Sequence, residues 1–178
     1  NTQAEVAGVL SLQHILSDIE IAYFKELESV LVERDNALEQ SKRSLFFAEK
    51  IIESSLDSIM VTDGKSIILS VNAAFTLLTG YTEEEVIGKS SSILSSGKHD
   101  KAFYQKMWQS LIEDKAWQGE IWNKKKCGEV YPEWLTIVQI SEKNNTEPLY
   151  AAIFSDITQR KLAEKRIHAL AFFDELTG

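Results

Sequence analysis

The stretch from Trp117 to Leu135, WQGEIWNKKKCGEVYPEWL, holds three of the four tryptophans in this 178-residue chain. Strand-forming residues flank a polar turn, a pattern that predicts two antiparallel strands. Because successive side chains of a strand point to opposite faces, one face of the first strand holds Trp117, Gly119, Ile121 and Asn123, and the other holds Gln118, Glu120 and Trp122. The first face is the more apolar one, so we expect it to line a core or a pocket in which Asn123 is the polar group.

The composition is that of an acidic globular protein. Its formal net charge of -8 disfavours nucleic acid as a partner, because phosphates would be repelled. Its single cysteine, Cys127, cannot form an internal disulfide. No apolar run in the sequence approaches the ~20 residues of a membrane span, and no signal-peptide pattern is present. We expect a cytoplasmic piece of a longer protein, and a membrane anchor elsewhere in that protein is compatible with this sequence.

Residues 3 to about 55 predict one long helix, since they contain no proline and, after Gly8, no glycine. Apolar residues recur there mostly at spacings of three and four: Leu16, Ile19, Tyr23, Leu27, Val30, Leu38, Leu45, Ala48 and Ile52. Such a narrow stripe is typical of a coiled coil, and we expect it to pair with a second copy of itself in a homodimer. The alternative is a helix that folds back on its own domain.

The segment after this helix predicts an α+β domain with one antiparallel sheet and helices on one of its faces. Strand-forming runs at 58–62 and 66–71 flank a hairpin signal, and another run at 149–157 follows the tryptophan hairpin. Capping and stop residues punctuate short helices between the strands: Asn72, Gly80, Thr82, Gly88 and Asp100. A final helix is expected to start near Thr158.

Four short motifs, in this order, resemble the PAS family of sensory domains: Asn72-Ala-Ala-Phe75, Thr79-Gly-Tyr81, Glu85-Val-Ile-Gly88 and Asp156-Ile-Thr158. The resemblance covers residues from about 48 to 160. It implies a five-stranded antiparallel sheet that cups small helices and leaves a cavity between them. Some members of the family hold flavin, haem or a small acid in that cavity. Others hold no ligand and serve as interaction modules.

The end of the chain, His168-Ala-Leu-Ala-Phe-Phe-Asp174-Glu-Leu-Thr-Gly178, resembles the opening of a GGDEF diguanylate cyclase domain. The resemblance implies that the catalytic part lies outside this chain, so we expect no cyclase activity here and expect the parent protein to make cyclic di-GMP. We divide the chain into a dimerisation helix (1–55), a PAS sensor domain (56–157), and a linker helix with the start of a GGDEF domain (158–178).

Three further motifs are similar to the flavin-binding PAS domains of nitrogen-fixation and methane-oxidation regulators: Ser95-Ser-Gly97, Phe103-Tyr104 with Met107-Trp108, and Trp117-Gln-Gly119 with Asn123-Lys. The resemblance implies FAD as the cofactor, with Trp108 packed beside the flavin and Asn123 hydrogen-bonded to it. Met60 and Ser91 stand where this subfamily can use a serine and a glutamate, so we expect fewer polar contacts. Three other residues are expected to complete the wall: Gly119, Ile121 and Phe154. Gly119 would let a flat ring approach the backbone closely.

Structural and chemical alternatives exist for these residues. Asn123 adjoins the turn at 124–128, where asparagine is common, and a lone Trp108 would be ordinary core. His99 lies near the place of the haem ligand in some PAS domains, although a histidine at a helix start is usually solvated. The stretch 88–94, Gly-Lys-Ser-Ser-Ser-Ile-Leu, holds no cysteine for a light-induced flavin adduct, and Cys127 lies in a charged turn. No metal-ligand spacing or nucleophile triad is recognisable.

The sequence therefore predicts the sensor of a diguanylate cyclase-type signalling protein, which uses bound FAD for redox or oxygen sensing and transmits the signal through helices. One alternative is a ligand-free PAS domain that only dimerises and transmits conformation, and another is a haem-binding gas sensor. We also expect Trp122, on the outer face of its strand, to be covered by the amino-terminal helix or by a second subunit.

Overall fold

The structure, a computed structural model, describes the backbone of residues 2–140 and 147–175. The chain divides into two compact units, Asn1–Lys50 and Ile51–Gly178. No helix within the described ranges is long and apolar enough to cross a lipid bilayer.

Helix α1 spans Thr2–Glu53, as the proline-free sequence predicts. Its apolar stripe is exposed to solvent; Leu27 is 43% exposed and Leu45 is 69% exposed. A row of large apolar side chains in water is usually covered by association. Pairing of this stripe with a second copy of the chain stays a prediction.

Five strands form one sheet with the order β2-β1-β5-β4-β3. Their bounds are β1 Ser58–Thr62, β2 Ile68–Val71, β3 Ala116–Lys124, β4 Val130–Ile140 and β5 Leu149–Asp156. All four strand pairs are antiparallel, which confirms the expected α+β architecture. β5 lies in the centre, between β1 and β4, and joins the first hairpin to the second.

The second strand starts later than the sequence indicates. The expected start is Ser66, but Ser66 has a left-handed backbone with φ 64°. The side chain of Asp63 accepts hydrogen bonds from the backbone N–H groups of Lys65 and Ile67, both at 2.8 Å. These bonds extend the turn, because an aspartate side chain stabilises a local turn in place of strand pairing.

The short helices are α2 Ala73–Thr79, α3 Glu83–Val86, a 3-10 helix at Ser91–Leu94, and α4 Lys101–Asp114. The predicted caps are confirmed. Asn72 accepts from the N–H of Phe75 at 3.0 Å, and Asp100 accepts from the N–H of Phe103 at 2.8 Å. Gly80 ends α2 with φ 78°, a conformation that suits glycine.

Strand β5 leads almost directly into helix α5, which spans Thr158–Glu175. The side chain of Asp156 accepts the N–H of Thr158 at 2.7 Å, and the N–H of Ile157 donates to the carbonyl of Pro132 at 3.0 Å. Sheet and helix are therefore joined without an intervening loop. The segment that resembles a GGDEF opening, residues 168–178, falls where side chains are not described, and residues 176–178 lie outside the described residues.

Candidate ligand cavity

The inner face of the sheet, α4 and the 3-10 helix line a cavity of about 290 Å³. Ligand pockets usually have volumes of about 300–1,000 Å³, so this cavity is just below the lower end of that range. Its size suits a compact planar group. Six of the seven residues predicted for the site line it: Met60, Ser91, Trp108, Ile121, Asn123 and Phe154.

Gly119 is the predicted residue that does not line the cavity. A Cβ atom added to Gly119 would lie 2.8 Å from Cζ2 of Trp117. The flat ring that approaches this backbone is therefore the indole of Trp117, two residues earlier on the same strand face. The expectation that Gly119 makes room for a ligand ring is corrected, since its missing side chain makes room for part of the hairpin itself.

The walls of the cavity are apolar. Met60 on β1 is paired with Ala152 on β5, and both are buried. Phe154 is 2% exposed and packs edge-on against Phe75 of α2, with ring centroids 6.0 Å apart. These contacts fix the position of one wall, because closely packed side chains have few alternative rotamers.

The sequence leaves open whether Trp108 is ordinary core or part of a ligand site, and in the structure it has contacts of both kinds. It is half-buried on α4, lines the cavity, and packs edge-on against Tyr150 with ring centroids 5.6 Å apart. Edge-on pairs are a favoured aromatic geometry, so Tyr150 fixes the orientation of the indole. Trp108 is thus part of the packing between α4 and β5 and is also available to a molecule in the cavity.

Asn123 and Glu133 form the polar end of the cavity, and Tyr131 is bonded to Glu133 without lining the cavity. The amide nitrogen of Asn123 donates to Oε1 of Glu133 at 2.8 Å, and the hydroxyl of Tyr131 donates to Oε2 of the same carboxyl at 2.8 Å. All three residues are buried, and Glu133 is only 1% exposed. The sheet brings them together because Asn123 is paired with Tyr131 across β3 and β4, and Glu133 follows Tyr131 by two residues.

Burial raises the pKa of Glu133 to about 7, and the nearby carboxylate of Asp156 also raises it, whereas the hydrogen bonds from Tyr131 and Asn123 lower it. Burial, together with the charge of Glu133, likewise raises the pKa of Tyr131 far above its ordinary value. Among the described residues, no lysine or arginine lines the cavity. The carboxyl group of Glu133 is therefore held by neutral donors alone.

A different side of the cavity is rich in hydroxyl groups: Ser66, Ser90, Ser91, Ser92 and Ser95. Ser95 lies 3.4 Å from the hydroxyl of Tyr104, measured between the two oxygens, and forms a backbone bridge with Asn123. These small polar groups give one boundary of the cavity donors and acceptors without charge.

His99 does not line the cavity. Its Nε2 atom accepts the backbone N–H of Trp122 at 2.9 Å, and its ring stacks on Phe103 with centroids 4.0 Å apart. The nitrogen that a haem iron would need is therefore occupied by a structural hydrogen bond. The geometry does not favour the haem alternative.

The outer face of β3 contacts two lysines. The Nζ atom of Lys98 lies 3.5 Å from the ring centroid of Trp122, and that of Lys161 on α5 lies 5.7 Å from it. Lys161 also forms an ion pair with Glu120. Trp122 is thereby half-buried, and coverage by the amino-terminal helix or a second subunit stays a prediction.

Comparison with known proteins completes these observations. A family profile described as a PAS domain matches residues 56–159, more than half of the chain. The nitrogen fixation regulatory protein of Klebsiella oxytoca is 28% identical over 131 residues, which are 74% of this chain and 26% of that protein. The chain thus spans about a quarter of the length of the curated relatives it matches first.

Two solved structures share the fold. The PAS domain of a protein from Colwellia psychrerythraea is 25% identical, with a TM-score of 0.60 over 65% of this chain and 98% of that chain. The LOV domain of a blue-light activated histidine kinase from Erythrobacter litoralis is 20% identical, with a TM-score of 0.51 over 57% of this chain and 95% of that chain.

Proposed function

The chain belongs to the PAS domain family, and we propose that it is a cytoplasmic signal-input domain that binds FAD for redox or oxygen sensing. The observation that carries this proposal is the cavity, which has apolar walls and one buried polar end at Asn123 and Glu133. The motifs shared with flavin-binding PAS domains support it. The similarity to a nitrogen fixation regulatory protein over 131 residues supports it as well.

The residues of the cavity fit the ring system of a flavin. Met60, Ile121 and Phe154 would contact its apolar part, and Trp108 would pack beside it. The oxygen of Asn123 accepts no hydrogen bond from any described residue, so it is available to an N–H group of a ligand. A bound flavin would supply electron-transfer chemistry. The protein itself would bind, orient and shield the ring.

The phosphate-bearing tail of FAD would lie outside the cavity. The volume of about 290 Å³ is small for a whole dinucleotide, and no cationic side chain lines the cavity within the described ranges. Phosphates prefer cationic or backbone donors, whereas the polar boundary here consists of uncharged serine hydroxyl groups. Recognition would therefore concern the ring rather than the tail.

Signal transmission is proposed to run through helix α5. Asp156 on β5 accepts the first N–H of this helix, so a change in β5 would reach α5 without an intervening loop. The GGDEF-like residues 168–178 support a diguanylate cyclase output domain in the parent protein. The exposed stripe of α1 supports a homodimer through the amino-terminal helix.

One observation favours a second function, that of a ligand-free dimerisation and transmission module. Within the described part of the chain, no buried side-chain nitrogen or oxygen lacks a hydrogen-bond partner. At the polar end of the cavity, the amide nitrogen of Asn123, both carboxyl oxygens of Glu133 and the hydroxyl of Tyr131 are thus paired with one another. A cavity of this kind does not require a ligand for its stability.

The visible absorption spectrum of freshly purified protein tests the proposal. A yellow preparation whose released cofactor is FAD would support it. A colourless preparation should be refolded with excess FAD and examined again, because a cofactor is often lost on purification. Protein that stays colourless and binds no FAD after refolding would overturn the FAD proposal and leave the ligand-free function.

A further inference from the structure

The polar end of the cavity holds a buried carboxyl group that no part of the sequence resemblance assigns. We propose that Glu133 determines the ligand specificity of the cavity, and that its protonation decides whether the cavity accepts a ring with a carbonyl edge. This inference rests on the proposed function, since a flavin ring has such an edge. It adds a residue and a form of regulation to that site.

Glu133 fixes the orientation of the Asn123 amide. A charged carboxylate only accepts hydrogen bonds, so the amide must turn its nitrogen toward Glu133, as the 2.8 Å bond shows. The amide oxygen is then the group that remains for a ligand. Glu133 thereby fixes which of the two ends of Asn123 is available.

The charged form of Glu133 makes the polar end of the cavity unfavourable for a ligand carbonyl. With Glu133 charged, its oxygens and the oxygen of Asn123 are all acceptors, and one N–H of Asn123 and the hydroxyl of Tyr131 are directed at the carboxylate. A ligand carbonyl brought to this end would face these acceptors, with the second N–H of Asn123 as the one donor of the three side chains that is left for it. Unmatched buried acceptors and an unpaired buried charge are both unfavourable, so this state should reject the ligand.

The neutral form of Glu133 adds a hydrogen-bond donor to the polar end of the cavity. A protonated Glu133 has an O–H donor, and it no longer attracts both neighbouring donors. The polar end then offers a mixture of donors and acceptors, which matches an edge where carbonyl and N–H groups alternate. Protonation therefore changes the hydrogen-bonding polarity of the cavity while its shape stays the same.

Burial and the carboxylate of Asp156 favour a proton on Glu133, whereas the hydrogen bonds from Tyr131 and Asn123 oppose it. Tyr131 contacts it from its own strand, and Asp156 stands opposite it on β5. Lys125, a cation of the hairpin, has its Nζ atom 5.3 Å from the ring centroid of Tyr131 and is paired with Glu129. The other titratable side chains that face the cavity are Tyr104 and Tyr150. Burial raises the pKa of Glu133 to about 7, in agreement with this arrangement.

The test is the affinity of the full chain for FAD at pH 6 and pH 8. If only the protonated form binds, a pKa of about 7 makes binding about tenfold weaker at pH 8 than at pH 6. Glu133→Gln keeps a neutral donor and acceptor at every pH, so it should bind FAD equally at both pH values. Glu113→Gln, at an exposed carboxylate on α4, is the matched control and should keep the wild-type pH dependence.

Three outcomes are decisive. Equal FAD affinity of the wild type at pH 6 and pH 8 would overturn the inference, and this measurement needs no variant. A pH dependence that persists in Glu133→Gln would overturn it too. Absence of FAD binding at both pH values, in wild type and Glu133→Gln alike, would overturn the proposed function.

If neither the wild type nor Glu133→Gln binds FAD, the protonation switch is tested in the ligand-free protein. The side-chain amide signals of Asn123 in an NMR spectrum should move between pH 6 and pH 8 in the wild type and stay fixed in Glu133→Gln. Wild-type amide signals that do not move over this range would show that Glu133 does not switch the polarity of the cavity.

Discussion

Glu133 on β4 stands directly opposite Asp156 on β5 in the register of the sheet. The first carboxyl lies at the polar end of the cavity, and the second accepts the N–H of Thr158 at the start of α5. The charge of Asp156 is one cause of the raised pKa of Glu133. The protonation of the cavity is therefore coupled electrostatically to the residue that begins the outgoing helix.

The stability of the folded unit should depend on pH through Glu133. Its pKa rises from 4.5 to about 7 on folding, so its contribution is fully present below pH 4.5 and is lost as the pH rises through about 7. The loss is on the order of 3 kcal/mol of unfolding free energy. Urea unfolding of wild type and Glu133→Gln at pH 5 and pH 8 measures it. An unfolding free-energy difference between the two proteins that stays constant with pH would contradict this prediction.

Asn123→Ala should weaken FAD binding by up to roughly a hundredfold, because a lost buried hydrogen bond costs about 1–3 kcal/mol. It also leaves Glu133 with Tyr131 as its one remaining side-chain donor among the described residues. Gln118→Ala, on the opposite face of the same strand, is the control and should bind FAD like the wild type. Equal losses in both variants, measured by fluorescence titration, would indicate a general effect on β3.

Gly119→Ala should destabilise the domain by about 1–3 kcal/mol, since overpacking of a fitted contact has a cost of this size. The new methyl group would lie 2.8 Å from the ring of Trp117, which packs edge-on against Phe103. Thermal unfolding and the emission spectrum of Trp117 report the change. An unaltered melting temperature would show that the ring moves aside freely.

Trp122 should be partly protected from iodide in a variant whose other tryptophans are replaced by phenylalanine. Lys98 and Lys161 cover part of its ring, and the predicted contact with the amino-terminal helix or a second subunit would cover more. Lys161→Ala should increase the quenching, because it removes one cover and the partner of Glu120. Full quenching before this substitution would rule out coverage of the outer face.

Helical register should carry the signal in the full-length protein. Helix α5 continues through Lys165, so inserted residues there rotate whatever follows. At ~3.6 residues per turn, four residues rotate it by roughly 40° and seven by about 20° the other way. Cyclase activity should change strongly with four residues and keep its regulation with seven. Similar activity in both insertion variants would exclude register as the carrier.

The fold could be predicted from the sequence because its signals are local. Asn72, Asp100 and Gly80 mark helix ends by chemistry that depends on few neighbours. Alternation on β3 likewise predicts that Ile121 and Asn123 face inward, and both are buried. The predicted start of β2 at Ser66 was wrong because the side chain of Asp63 competes with strand pairing. Strand propensity alone does not reveal this competition.

The site was predicted only in part. The same alternation on β4 places Glu133 on the face of Leu135 and Ile137, so the sequence pattern indicates a carboxyl on the inner face of the sheet. Its bonds to Asn123 and Tyr131 depend on the pairing register of β3 and β4, which the sequence pattern leaves open. The role of Gly119 was misassigned because a close approach by Trp117 and one by a ligand leave the same trace in a sequence.

The serine-rich stretch 88–99 has a consequence for solubility. Its beginning pairs with β2, where the N–H of Ile68 donates to Lys89 and the N–H of Gly88 donates to Ile68, both at 2.9 Å. Its end contacts β3, where His99 accepts the N–H of Trp122. These are the two outermost strands of the sheet, and unpaired outer strands are templates for aggregation between molecules. One continuous segment thus occupies backbone groups of both border strands, and we expect substitutions that detach it to promote association between molecules.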